Sequence, residues 1–205
     1  MNAQADKPSR PGRAIARDSL LSLEAYARTR SEFRARVMEH KKARAVHLGG
    51  HLTLLFEDDL TVRYQIQEML RIERTFEEQG IRDELDTYNA LVPDGSNWKA
   101  TLMLEYEDAD ERRQALAQLK GIEDRVWVQV AGCERVYAIA DEDLERENEQ
   151  KTSSVHFVRF ELGASDVLAL KSGAAIGVGV DHPAYAWTLP VLPEPTRLAL
   201  LADLD

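Results

Sequence analysis

Apolar residues recur along the chain in two rhythms. Leu20, Leu23, Tyr26, Phe33 and Val37 follow approximate helical spacing through a charged stretch. With Asp18 as N-cap, they predict one long amphipathic helix ending before Val46. RAVHLGGHLTLLFED then reads as two short strands around Gly49-Gly50, a pair suited to a two-residue hairpin turn because both positions take positive φ. Val62, Ile66, Met69 and Phe76 form a second helical row, with Asp59 or Thr61 as cap and Gly80 as stop. A shorter helix over 82–91 follows.

Farther on, WKATLMLEYE alternates as a strand and ADERRQALAQLKG reads as a helix closed by Gly121. RVWVQVAGCERVYAIA predicts a second hairpin turning at 131–134, and VHFVRFEL another strand. Between them DEDLERENEQKTSS is charged and turn-rich. The remainder predicts a short helix over 166–171, a strand in GAAIGVGVDH, an extended piece through Trp187 and a Pro-flanked helix over 194–202. Strands that arrive mostly as hairpins imply an α+β fold, an antiparallel sheet covered by amphipathic helices. At 205 residues the expected organisation is one domain over 18–205 behind a flexible N-terminal tail, 1–17.

Charge narrows the function classes. The 36 acidic and 26 basic residues leave a net charge of −10, a field that repels nucleic-acid phosphates. Arg28, Arg30, Arg34, Arg36, Lys41, Lys42 and Arg44 form a local basic cluster, read as a solvated helix face because no base-stacking aromatics accompany it. Nucleic acid is not an expected partner. Nor is a membrane, since no run approaches about 18 apolar residues. The one cysteine, Cys133, excludes an internal disulfide and a cysteine-built cluster within one chain; a reducing, cytoplasmic location is expected. Beside Glu134, Cys133 lacks the electropositive setting of a reactive thiol. Phosphate-binding glycine loops and nucleophile-elbow motifs are absent from the sequence. Tyr26, Phe33 and Val37 form a stripe that serves either core packing or a homodimer.

The ionisable residues that fall on apolar faces are the candidates for chemistry. With a two-residue turn, His47 faces Leu52 and joins Leu54 and Phe56 on the apolar side of the hairpin, while His51 joins Arg44, Thr53 and Glu57 on the polar side. His156 is in register with Val158 and Phe160. Glu73 stands four residues after Met69 and three before Phe76, inside an apolar row, where an uncompensated carboxylate costs several kcal/mol. His182, in GVDHPAY, is held extended by Pro183 at a strand end. Two readings stay open. In one, His47, Glu73, His156 and His182 converge as a mixed nitrogen and oxygen site for iron, manganese or zinc, giving a metal-dependent enzyme or metal sensor. In the other, the histidines are core residues satisfied by backbone carbonyls, Glu73 pairs with an arginine, and the His182 segment is a structural turn.

Four segments, FEDDLTVRYQIQEMLRIE, DELDTYNALVP, VHFVRFEL and DHPAY, together resemble the bacterial domain-of-unknown-function family numbered 3501, over residues 20–204. The family supplies no catalytic residue to carry over. Its genes often neighbour rubrerythrin-like diiron proteins and iron-sulfur oxidoreductases. The resemblance therefore implies an accessory or binding protein acting beside an iron-dependent redox or peroxide-stress system, with those proteins as partners.

Overall fold

The computed structural model describes residues 14–205 apart from 143, 145, 147 and 149. Among the described residues the helices are α1 (Leu23–Lys42), α2 (Asp59–Glu73), α3 (Glu78–Asn89), α4 (Ala109–Gln118), α5 (Ala164–Lys171) and α6 (Glu194–Leu201). The strands are β1 (Ala45–Leu48), β2 (Leu52–Phe56), β3 (Asn97–Leu104), β4 (Val126–Val130), β5 (Arg135–Tyr137), β6 (Ile139–Ala140), β7 (Val155–Glu161), β8 (Ile176–His182) and β9 (Tyr185–Leu189). The fold is α+β. The strands form two antiparallel sheets, ordered β1-β2-β3-β7-β6 and β5-β4-β8-β9.

The core lies between the sheets. Alternation on β3 turns Trp98, Ala100, Leu102 and Leu104 inward, and on β7 it does the same for His156, Val158 and Phe160. They meet Val126, Val128 and Val130 of β4 and Ile176, Val178 and Val180 of β8. Phe56 packs edge-on against Trp98, with ring centroids 6.2 Å apart. The Trp98 indole N–H donates to the Leu200 carbonyl at 2.9 Å, so α6 closes one end of the core without leaving a buried donor unpaired. A second apolar cluster, including Ile15, Val62, Ile66, Leu70, Ile81 and Leu85, holds α2 and α3 together. Ile15 falls within the expected tail, yet it is buried and its backbone N–H donates to Asn89. Residues 1–13 lie outside the described residues.

Local chemistry moves several expected boundaries. The first long helix begins at Leu23, where the Ser22 hydroxyl accepts the Ala25 N–H; Asp18 belongs to a short 3-10 turn before it. Asp58 and Thr61 form a reciprocal capping box on α2. That helix stops at Glu73, because Arg74 adopts the left-handed conformation (φ 54°). Gly80, expected as the stop, lies inside α3, where an added Cβ would come within 2.6 Å of the Thr75 methyl. The apolar row of α2 is Val62, Ile66 and Leu70, while Phe76 lies past the break and is 75% exposed. Glu73 is accordingly an exposed helix end rather than a buried acid.

The first hairpin departs from its expected register. Leu48 pairs with Leu52 and His47 with Thr53, so the loop contains three residues, Gly49, Gly50 and His51. This one-residue shift moves His47 to the opposite face. The piece through Trp187 is a full strand, β9, joined to β8 by a tight turn at Pro183-Ala184. Among the described residues, no helix is long and apolar enough to cross a membrane.

Candidate metal centre

His156 enters the site because β7 alternates and because Leu102, its partner on β3, also faces inward. It is fully buried. The short β6–β7 ladder ends at Asp141, which takes the left-handed conformation (φ 50°) tolerated by aspartate. The turn leaves the Asp141 carboxylate to continue the ladder: Oδ1 accepts the Phe157 N–H at 3.2 Å and an Arg146 N–H at 3.1 Å. Oδ2 accepts from His156 Nδ1 at 2.6 Å, which orients the ring and directs Nε2 the other way.

Oxygen atoms surround Nε2. Thr152 Oγ1 lies at 2.9 Å, the Ser153 carbonyl at 3.1 Å and Glu123 Oε2 at 3.8 Å. Thr152 Oγ1 and Glu123 Oε2 are 3.4 Å apart, and both residues are buried. A neutral ring protonated at Nδ1 would turn its Nε2 lone pair onto a carbonyl and a carboxylate. A positive charge among these atoms resolves that conflict. The spacings are close to the roughly 3.3–3.6 Å edge of a tetrahedron with metal–ligand bonds of 2.0–2.2 Å. Glu123, Asp141 and His156 are the group of histidine and acidic residues, among those described, whose ligand atoms come close enough to share an ion. Imidazole, carboxylate, hydroxyl and carbonyl donors suit iron, manganese or zinc.

Of the four sequence candidates, only His156 belongs to this group. His47 is exposed, and its Nδ1–H donates to Thr53 Oγ1 at 2.9 Å, since the Thr53 hydroxyl itself donates to Glu105 at 2.6 Å. Glu73 stands at the exposed end of α2. His182 is buried in the β8–β9 corner, where Nε2–H donates to the Lys120 carbonyl at 3.0 Å and Nδ1 accepts the Ala184 N–H at 3.2 Å. Both ring nitrogens are thus occupied by backbone groups. His51 stacks on Tyr106 at 4.1 Å.

The buried acid of α2 is Glu68, five residues before the Glu73 that sequence spacing indicates. It accepts from Arg30, Tyr26 and Arg71. The Arg30 hydrogen bonds hold its carboxyl at about 2, against the opposing effect of burial. The Cys133 thiol is pushed up by its hydrogen bond to Asp166, in keeping with an unreactive cysteine. Sequence reasoning missed Glu123, Asp141 and Thr152. They stand in turns, where no periodicity marks a side chain as inward.

A family model described as "Protein of unknown function (DUF3501)" matches residues 14–204. The chain belongs to the DUF3501 family. A crystal structure titled as a novel protein of unknown function from Burkholderia pseudomallei is 56% identical, with a TM-score of 0.90, covering 94% of this chain and all of that one. No curated protein matches. The DUF3501 fold therefore includes that Burkholderia structure, and at this identity the likeness extends beyond topology.

Proposed function

We propose that this DUF3501 protein is a cytoplasmic metal-binding accessory protein that holds one iron, manganese or zinc ion and acts beside an iron-dependent redox or peroxide-stress system. The observation that carries the metal reading is the ring of oxygens around His156 Nε2, with Asp141 orienting the imidazole from behind. His156 and Glu123 would be the strong ligands, completed by Thr152 and the Ser153 carbonyl. Complete burial of His156 and Thr152 favours an ion that is held or sensed, since a catalytic metal keeps an open coordination position for substrate. The redox setting rests on family membership and on the gene neighbourhood the family implies.

Elemental analysis of untagged protein never exposed to chelator tests the metal reading. About one equivalent per chain, lost in His156→Ala and Glu123→Gln, is expected. Protein that purifies metal-free and takes up none of the three ions in calorimetric titration would overturn the metal reading. Native fractionation tests the setting: association with rubrerythrin-like or iron-sulfur proteins is expected, and separate migration from all of them would remove that part.

A further inference from the structure

The helical layer and the outer face of the β1-β2-β3-β7-β6 sheet do not close on each other. Between them lies a cavity of about 260 Å³, a size that suits a small metabolite rather than a large cofactor. Leu55 of β2, Met103 of β3 and Val155 and Phe157 of β7 form its floor, and Val62 of α2 and Leu91 stand opposite. His156 points away, into the core, so the cavity and the metal centre lie back to back across β7.

Two oppositely charged side chains line this apolar space, and neither forms an ion pair among the described residues. Glu57 is 8% exposed. Its Oε1 accepts the Thr101 hydroxyl at 2.7 Å, whereas the nearby Arg44 reaches the Glu57 backbone carbonyl and directs its other side-chain contacts to Asp203, Asp58, His40 and the Ala199 carbonyl. The Lys41 ammonium lies over the Tyr64 ring, 5.9 Å away. Arg44 also acts on the Glu57 carboxylate electrostatically, and an ammonium entering the cavity would add a direct charge-assisted hydrogen bond. Lys41 offers the same to a carboxylate.

We propose that this cavity binds a small zwitterion with an apolar body, namely a free apolar or aromatic α-amino acid. Its ammonium is held by Glu57, its carboxylate by Lys41, and its side chain by Leu55, Met103 and Phe157. The site is independent of the metal reading.

Calorimetric titration of the full chain with leucine and phenylalanine, their decarboxylated amines and their deaminated acids tests the assignment. Saturable one-site binding of an amino acid is expected, with the matching amine and acid at least tenfold weaker. Glu57→Gln and Lys41→Met should each weaken it at least tenfold. Val155→Trp, at a position 38% exposed and therefore tolerant, should fill the cavity and abolish binding. Lys41→Met alters a half-buried helix position, so the test survives if the Glu57 variant misfolds. No heat with either amino acid, or equal affinity in Lys41→Met and Val155→Trp, would overturn the proposal. Amines that bind as well as the amino acids would overturn the zwitterion assignment.

Discussion

Arg44 and Asp203, 159 positions apart, form a two-pronged pair, Nη2 to Oδ1 at 2.7 Å and Nη1 to Oδ2 at 2.9 Å. Arg44 is 3% exposed, and its Nε also lies 3.0 Å from Asp58 Oδ2. Burial pushes the Asp203 carboxyl up even against Arg44. At Asp58, burial is outweighed by the His40 hydrogen bond and by Arg44, which hold its carboxyl low. The pair ties the start of the first sheet to the C-terminal helix. Removing one partner leaves a buried charge and should cost about 3 kcal/mol. Urea unfolding of Asp203→Ala, Arg44→Met and the double variant checks this, with a coupling of about 1–3 kcal/mol expected; strictly additive costs would contradict it.

Gly49 and Gly50 are adjacent but physically unlike. Gly49 has φ +76°, and an added Cβ would lie 2.5 Å from the Tyr185 hydroxyl, which donates to the Leu48 carbonyl. Nothing lies within 4 Å of a Cβ at Gly50. Gly49→Ala should therefore destabilise by about 1–3 kcal/mol, while Gly50→Ala stays within about 0.5 kcal/mol. Thermal melts of the two variants decide it, and equal midpoints would contradict the three-residue loop.

Glu68 makes stability depend on acid. Its folded carboxyl titrates at about 2, below the ordinary value of 4.5. A depressed carboxylate stabilises above its unfolded pKa and loses that contribution as pH falls toward the folded one. Discounting for the partly exposed Arg30, Glu68 supplies on the order of 2 kcal/mol at neutral pH. Between about pH 4.5 and 2, wild type should lose this amount and Glu68→Gln should not. Denaturant midpoints across that range provide the measurement, and parallel curves would contradict the prediction.

The proposed metal centre separates the histidines. Asp141→Asn keeps a residue that tolerates the left-handed backbone but removes the carboxylate behind His156, and should weaken metal affinity about 10–100-fold. His182→Ala should retain the metal and lose about 1–2 kcal/mol of stability, because two buried backbone groups lose their partners. His47→Ala, at an exposed site, should change neither. Metal content and melting midpoint of each variant together test the assignment; loss of metal in His182→Ala would point back to a wider ligand set.

Much of the fold was legible because the local rules are strong. Alternation marked WKATLMLEYE as a strand, which is β3, and in VHFVRFEL it placed His156, Val158 and Phe160 on one apolar face, which the structure turns inward. The hairpin origin of the strands pointed to antiparallel pairing, which the ladders show. The errors lie at element ends. Gly49-Gly50 suggested a two-residue turn, but the Tyr185 hydroxyl, which accepts the His51 N–H and donates to the Leu48 carbonyl, holds His51 in the loop. That contact comes from a strand 134 residues away. Gly80 suggested a stop, but it is the close approach of Thr75 that places a glycine there.

The sequence by itself determined which residues alternate, which helices are amphipathic, the antiparallel α+β class and the inward direction of His156, because each follows from the period of the backbone. Only the tertiary structure decided what His156 meets. Glu123 and Asp141 reach it from a turn and from the end of a two-residue strand. Their approach depends on how the sheets pack, and the chain's own period carries no record of that packing.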